Sequence, residues 1–266
     1  MANAGRCRWL VWAALLGGLS AHAAAPGLLA ARSSNSFGLA MFAIIAGVVM
    51  VAAIGGFLME AKRREALQQS ASRMGFQFLP DASIHSILPA SHGLELFARG
   101  RSPLASNVLQ TSAADVTISI FDYRYTTGSG KNRTTHRQTV ALFQVPGATL
   151  PAFGLRPENF FHKIGATFGY QDIDFSNHPK FSAHYLLRGP DEAAIRQAFN
   201  DTVLGFFEHL PDCCVQAAGT NLIIFRHGHC VKPENIPAFL ETGLAVMSVF
   251  GMAHLSLSES GEIVAA

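Results

Sequence analysis

A chain of 266 residues with 49% hydrophobic residues is long enough to bury a core, while its 14% of charged residues is low. Three of the 20 basic residues (Arg6, Arg8 and Arg32) and none of the 18 acidic residues precede Glu60, so 17 basic and 18 acidic residues remain from Glu60 onward. This near-neutral balance excludes a strongly basic nucleic-acid-binding domain, and we expect no nucleic-acid partner.

Residues 1–25 have the pattern of a signal peptide or of a first transmembrane segment. Arg6 and Arg8 precede the apolar run Trp9–Leu19, and Ala21-His22-Ala23 follows as a small-residue cleavage pattern. The sequence leaves open whether this segment is cleaved or retained.

The stretch Phe37–Met59 contains 23 residues and no charge. As a helix it reaches roughly 35 Å, enough to cross a hydrocarbon core of about 30 Å. A buried helix of a globular protein would normally show a polar stripe, and this one has none. We therefore predict a transmembrane helix over Phe37–Met59, with the lipid bilayer as its partner.

The basic residues Lys62-Arg63-Arg64 directly follow this helix. Basic residues favour the cytoplasmic side of a membrane. Cleavage of the first segment leaves a periplasmic N-terminus, and its retention makes a hairpin of two spans. Both topologies place the protein in a bacterial inner membrane with its C-terminal part in the cytoplasm.

Helical and strand patterns alternate irregularly after residue 60. We predict helices over Glu60–Met74, Asp81–Leu88, Arg156–Ala166, Asp191–Phe199 (with further turns to Glu208) and Pro237–Met252. Predicted strands are Leu94–Ala98, Asn107–Thr111, Val116–Tyr125, Thr134–Val145, Tyr185–Arg188, Cys213–Ala217 and Asn221–Arg226.

These elements indicate an α+β fold in which one transmembrane helix precedes a mainly antiparallel sheet with flanking helices. Val116–Tyr125 pairs with Thr134–Val145, and Cys213–Ala217 pairs with Asn221–Arg226, as two hairpins. We expect one cytoplasmic domain over residues 60–255 and a flexible tail over 256–266.

The segment Phe121–Val140, FDYRYTTGSGKNRTTHRQTV, resembles a hallmark of uncharacterised bacterial membrane-anchored proteins. Asp172–Phe175, His178–Ser182 and Tyr185–Gly189 carry the same resemblance, which covers roughly residues 60 to 250. It implies a membrane segment followed by an α+β domain. That family has no assigned activity, so the resemblance implies none.

The first hairpin carries the clearest candidate site. Centring its loop near Ser129–Gly130 pairs Asp122 with Gln138 and Arg124 with His136, and puts all four side chains on one face of the sheet. A carboxylate, a guanidinium and an imidazole there are suited to binding an anion or to acid–base chemistry. The alternative is an ion-pair network at the edge of the core, and a one-residue error in register would divide the group.

Other charged and metal-binding patterns are weaker. The loop Gly128–Lys131 lacks the residues and the following helix of a phosphate-binding loop. Its basic residues, together with those after the membrane helix, are candidates for contact with anionic lipid: Lys62, Arg63, Arg64, Lys131, Arg133 and Arg137.

Cysteines and histidines give two further hypotheses. The second hairpin brings Cys213 and Cys214 towards His227, His229 and Cys230. Thiolates and imidazoles are zinc ligands, but the spacing of these residues matches no standard zinc motif. We therefore expect free thiols and no metal. A carboxylate–histidine site combining His178 and His184 with Asp172 and Asp174 is the other, although loop capping by Asp and Asn next to proline is the commoner role of such residues.

No complete catalytic or cofactor motif is present, and we expect no cofactor. The sequence favours a non-enzymatic, membrane-tethered module that binds a protein partner or a small ligand at the inner membrane face. The alternative is a hydrolase-like enzyme that uses Asp122, Arg124 and His136 on an anionic or membrane-associated substrate.

Overall fold

The computed structural model describes residues 34–87, 93–158, 171–210, 212–258 and 262–265. The chain forms two compact units, Met1–Gly56 and Phe57–Ala266. The predicted signal peptide or first transmembrane segment over 1–25 lies outside the described residues.

A 40-residue helix, α1 (Ser34–Arg73), contains the predicted transmembrane stretch and the predicted helix after it. The large apolar side chains between Leu39 and Met59 are 51–73% exposed. By length and composition, the part from Gly38 to Arg73 is able to cross a membrane. Leu67 and Ala71, which repeat at helical spacing, are buried, so α1 changes from an exposed apolar helix to one with a core-facing side.

An antiparallel sheet of eight strands forms the centre of the second unit, in the order β1-β2-β3-β4-β8-β7-β5-β6. Its strands are β1 (Gln77–Ala82), β2 (Arg101–Ala113), β3 (Val116–Thr127), β4 (Thr134–Gln144), β5 (Leu150–Pro157), β6 (Tyr185–Arg188), β7 (Cys214–Gly219) and β8 (Asn221–Phe225). The helices are α2 (Ile84–Ile87), α3 (Glu95–Ala98), α4 (Pro179–His184), α5 (Glu192–Ala198), α6 (Asp201–His209) and α7 (Ile236–Val249). The α+β fold with a mainly antiparallel sheet is therefore confirmed.

Both faces of the sheet are covered. Face A packs against α1, α4, α5, α6 and α7 in a large apolar core that includes Ile118, Ile120 and Phe143. Face B packs against α2 and the segment around α3 in a smaller core that includes Phe121 and Tyr123. Alternation along β3 produces this division, because successive side chains of a strand point to opposite faces.

Capping explains where the confirmed helices α5 and α6 begin. The Asp191 side chain accepts from the Ala194 N–H at 3.0 Å, and that of Asn200 accepts from the Val203 N–H at 3.1 Å. The predicted strand Tyr185–Arg188 and helix Pro237–Met252 correspond to β6 and α7.

One predicted element near face B is wrong in type, and the first residues of another belong to a strand. Leu94–Ala98 forms the short helix α3 rather than a strand, because it lies over face B and the Leu96 N–H donates to the Gln216 side chain at 2.9 Å. The first two residues of the predicted helix Arg156–Ala166 belong instead to β5, where Arg156 lies opposite Leu186 and Pro157 opposite Tyr185 of β6. Residues 159–170 lie outside the described part.

Two further boundaries also differ. In the predicted helix Asp81–Leu88, Asp81 belongs to β1 and the helix is confined to Ile84–Ile87. Within the expected tail 256–266, Ser256 and Leu257 belong to β9 (Leu255–Leu257), which pairs antiparallel with β10 (Ile263–Ala265), and the buried Leu255 precedes them.

Candidate functional site

The register of the first hairpin divides the predicted cluster. Asp122 lies opposite Thr139 and Tyr125 opposite His136, one residue away from the predicted pairing. A six-residue loop joins Thr127 to Thr134 and contains a 3-10 turn over Gly130–Asn132, which moves the centre of the hairpin towards Lys131. Asp122 and Arg124 therefore belong to face A, whereas His136 and Gln138 belong to face B.

On face A, Asp122 is held by four hydrogen bonds. Arg63 donates to both carboxylate oxygens, from Nε at 2.8 Å and from Nη2 at 2.7 Å. Thr139 Oγ1 donates at 2.9 Å and Asn107 Nδ2 at 3.0 Å. The remaining amino group of Arg63 donates to the Val231 carbonyl at 2.8 Å. The network joins α1 to β2, β3, β4 and the segment before α7.

The Arg63–Asp122 pair is well shielded, with side chains 22% and 14% exposed. Burial alone would lower the pKa of Arg63, but the hydrogen bond and charge of Asp122 outweigh it, and the pKa is raised. A bidentate arginine–carboxylate pair of this kind fixes the orientation of both groups. The Arg63–Asp122 pair therefore has a structural role, in which it holds α1 against the sheet.

On face B, His136 stacks on Tyr125 with ring centres 4.8 Å apart, and its Nε2 lies 2.7 Å from Thr127 Oγ1. Burial, followed by the positive charge of Arg99, lowers the pKa of His136. Gln138 is fully buried, and its Oε1 accepts from the Gly228 N–H at 3.2 Å. The four predicted ligand-binding residues are thus not brought into one site.

The predicted lipid-contacting residues also separate. Three of them form ion pairs within the protein. Arg63 pairs with Asp122, Arg137 lies 3.4 Å from Glu60, and Arg64 lies 3.9 Å from Asp81. The remaining three residues are exposed: Lys62, Lys131 and Arg133. Their contact with lipid stays a prediction.

A groove of about 960 Å³ on the α4–α6 side of the second unit offers a ligand-sized cavity. Its lining includes Phe175, His178, Arg196, Phe199, Asp201 and Leu204. Apolar side chains and several polar groups therefore face the same space. We call it the His178 groove.

His178, which lines this groove, lies between two carboxylates of α6. Its Nδ1 lies 3.1 Å from Glu208 Oε1, and its Nε2 lies 3.3 Å from Asp201 Oδ1. Only a doubly protonated ring donates to both. Asp172, expected beside His178, instead accepts the Leu187 N–H at 2.9 Å as a loop cap.

The second hairpin has the predicted register, with Cys214 opposite Phe225. Cys213 nevertheless packs into the face A core and Cys214 into the face B core, because adjacent residues of a strand point to opposite sides. Among the described residues, no group of three or more histidines, cysteines or carboxylates is placed to hold a metal. Cys213, Cys214 and Cys230 are free thiols.

The comparisons with known proteins bear on the fold. No family model matches this chain, and no curated protein matches it. Among solved structures it is similar to the mycobacterial trehalose monomycolate transport factor A, TtfA, with a TM-score of 0.51 and 14% identity over 72% of this chain and 92% of that one. At this identity the likeness shows a shared fold.

Several residues that build these sites were not found from the sequence. Asn107 belongs to no motif, Thr139 was not singled out within the segment Phe121–Val140, and nothing distinguishes Glu208 from other carboxylates of the predicted helices. The available signal was Asp122 itself, because a carboxylate next to the buried Ile120 requires a partner. The sequence did not identify that partner as Arg63, which is 59 positions away.

Proposed function

We propose that the protein is a membrane-anchored binding module at the inner face of a bacterial inner membrane. In this proposal the apolar part of α1 spans the bilayer, and the unit from Phe57 onward lies in the cytoplasm. That unit binds a protein partner or a small ligand, for which the His178 groove is the candidate site.

The anchor is supported by the exposed apolar side chains between Leu39 and Met59, since a water-soluble helix rarely exposes such a surface along its whole length. The cytoplasmic side is supported by Lys62 and Arg64, which are exposed directly after that stretch. The structurally similar TtfA is described as a transport factor, and a binding role at a membrane is in keeping with that description.

The single observation that carries the binding role is the His178 groove. Phe175, Phe199 and Leu204 supply apolar surface, and His178 and Asp201 supply polar groups along it. The Arg196 guanidinium lies 5.1 Å from the centre of the Phe175 ring and is paired with Glu192. Its positive charge is thereby balanced, so the Asp174 carboxylate at the groove favours a ligand with an apolar body and a cationic or hydrogen-bond-donating group.

A hydrolase-like enzyme has less support. Its acid–base group would need Asp122 and His136 within about 3 Å of each other or of one substrate atom. These residues lie on opposite faces of the sheet, and Asp122 already accepts four hydrogen bonds. A carboxylate held in this way is a poor general base.

Site-specific photo-crosslinking in living cells tests the groove. A benzophenone amino acid replaces Asn177, which is exposed and lines the groove, and in a matched control it replaces Ser112, which is exposed on β2. We expect a discrete adduct from position 177 that is absent from position 112 and weakened by Asp201→Lys. The same adducts from both positions, or none from position 177, would contradict the proposal.

Complementation of a deletion strain separates the module from the enzyme. If the protein is a binding module, we expect the His136→Ala variant to restore the wild-type phenotype when it accumulates to the level of the unaltered protein. Deletion of residues 37–59 abolishes restoration, because the anchor is lost. Failure of His136→Ala at equal protein level would instead support the enzyme.

A further inference from the structure

Two ion pairs show the direction in which α1 runs along the first hairpin. Arg63 pairs with Asp122 of β3, and Glu60, three residues earlier in the helix, lies 3.4 Å from Arg137 of β4. Arg137 is opposite Arg124, which is two residues nearer to the hairpin loop than Asp122 is. The helix therefore runs away from the loop, and the exposed apolar residues directly before Glu60 lie towards it.

The other end of α1 agrees with this direction. The helix ends at Arg73, and β1 follows at Gln77. Gln77 lies opposite Gln110 of β2, which in turn lies opposite Ser119 of β3. Ser119 is three residues farther from the loop than Asp122 is. Over this length α1 and β3 therefore run alongside each other in opposite directions.

The hairpin loop extends as far in this direction as the apolar residues of the second unit do. From Asp122 to Thr127, where the loop begins, β3 advances five residues, or about 17 Å. From Arg63 back to Phe57, α1 covers six residues, or about 9 Å. Phe57 is 72% exposed. The loop over 128–133 therefore reaches at least the level of this apolar side chain.

Basic side chains are concentrated at the same end of the unit. Lys131 and Arg133 in the loop are exposed, as is Lys62 of α1. Arg101 is also exposed and lies opposite Thr126, near the end of β3. Within the part of the chain that the structure describes, none of these four basic residues forms an ion pair. Their positive charge is free to attract an anionic surface.

Arg124 adds a positive charge that is half-buried. It lies on face A, as Asp122 does, and directly opposite Arg137. Like charges that face each other across two strands destabilise a sheet. Glu60 offsets only Arg137, and Asp122 already accepts four hydrogen bonds. Since no described residue forms an ion pair with Arg124, an anion at this place would relieve the repulsion.

We propose that the first hairpin makes a second contact with the membrane, in which its loop and Arg124 bind the headgroups of anionic phospholipids. Basic residues close to an anionic bilayer are attracted to it, and the guanidiniums of Arg124 and Arg133 are suited to pairs of phosphate oxygens. The inference rests on the membrane anchor of the proposed function and does not involve the His178 groove. It makes the contact dependent on anionic lipid and on ionic strength.

Photo-crosslinking to lipid tests this contact in the full chain. A benzophenone amino acid replaces Asn132, which is exposed in the loop, and in a matched control it replaces Ser112, which is exposed on β2 opposite Thr117 at the far end of β3. The protein is placed in nanodiscs of phosphatidylcholine, alone or mixed equally with phosphatidylglycerol. Mass spectrometry measures the yield of lipid adducts. With phosphatidylglycerol, we expect the yield from position 132 to exceed that from position 112 by about fivefold or more, and to fall when salt is added.

Charge substitutions give the matched comparison. In nanodiscs with phosphatidylglycerol, we expect Lys131→Gln combined with Arg133→Gln to lower the adduct yield from the loop by about threefold or more. Arg124→Gln alone should also lower it. Arg73→Gln combined with Lys180→Gln removes two exposed charges elsewhere and should leave the yield unchanged.

The outcomes separate the hairpin contact from the anchor on which it rests. A chain that does not enter nanodiscs would overturn both. A chain that enters them overturns the hairpin contact alone if positions 132 and 112 give equal yields, if phosphatidylglycerol has no effect, or if the loop and control substitutions act alike. A high yield from the loop that needs phosphatidylglycerol and falls in the loop variant supports the contact.

Discussion

Arg63 and Asp122 join α1 to the centre of the sheet through two hydrogen bonds of 2.8 and 2.7 Å. Arg63 follows the exposed apolar stretch by four residues and precedes the buried Leu67 by four. The pair therefore marks the point along α1 at which the helix becomes part of the folded unit. Within the proposed function, it makes the helix that carries the anchor an integral element of the binding module.

Removal of Arg63 should destabilise the second unit. Arg63→Ala leaves Asp122 largely buried with two of its four hydrogen bonds, and we expect a loss of about 2–4 kcal/mol in the free energy of unfolding. Urea unfolding of the full chain in detergent, monitored by far-ultraviolet circular dichroism, measures this free energy. Arg64→Ala is the control, because its partner Asp81 is 3.9 Å away and exposed, and we expect a change below about 0.5 kcal/mol. Equal effects of the two substitutions would show that the pair does not stabilise the fold.

The pH dependence of stability should include a contribution from His136. Its pKa in the folded protein is lowered from 6.5, so the unfolded chain binds this proton more readily. Stability is therefore lost as the pH falls through 6.5 towards the lower folded pKa, and is retained above it. We expect His136→Gln to lose less stability than the unaltered protein between pH 7.5 and about 5.5, with the exposed variant His85→Gln as a control for removal of an imidazole. An unchanged pH slope in His136→Gln would contradict this assignment.

Gly243 should be intolerant of a side chain. A Cβ there would overlap the ring of Phe143, which is fully buried in the face A core. Gly243→Ala should cost about 1–3 kcal/mol of unfolding free energy through overpacking. Gly205→Ala in α6 meets nothing within 4 Å and should instead stabilise its helix by about 0.5–1 kcal/mol. Thermal unfolding of both variants checks the pair, and a stabilised Gly243→Ala would mean that α7 lies farther from β4.

Cys213 and Cys214 should be inert in the folded protein. Both are buried, and burial raises the pKa of Cys214 to about 12 and that of Cys213 further. In a Cys7→Ser background, we expect iodoacetamide to modify no thiol other than Cys230 in the folded protein. In guanidinium chloride we expect it to modify all three thiols. Mass spectrometry of the peptides locates the label. Rapid modification of Cys214 in the native protein would place it in an exposed position instead.

Strong alternation made the central strands predictable, but the registers of the two hairpins differed in difficulty. Cys214–Gly219 and Asn221–Phe225 are joined by a tight turn at Gly219–Thr220, which leaves little freedom, and their register was predicted. The first hairpin closes with a longer loop, and its sequence was compatible with several positions of the turn and hence with several registers. A shift of one residue then moved His136 and Gln138 to face B, and with them the predicted site.

Local sequence could not identify contacts set by the tertiary fold. Leu94–Ala98 was predicted as a strand, but Glu95–Ala98 forms α3; Leu94 and Leu96 are both buried over face B, and Gln216 supplies a hydrogen bond from 120 positions away. Arg156 looked like the start of a helix because Pro157 suits a first turn. Pairing with the neighbouring strand β6 outweighs that preference.

Paired reporter fusions after residue 266 test most directly whether the folded unit lies at the cytoplasmic face of the membrane. Alkaline phosphatase is active only in the periplasm, whereas green fluorescent protein fluoresces in the cytoplasm. A fusion after Asn35, on the other side of the predicted span, is the matched control. We predict a fluorescent protein fusion and an inactive phosphatase at residue 266, with an active phosphatase at residue 35. An active phosphatase and a dark fluorescent protein after residue 266 would contradict the account.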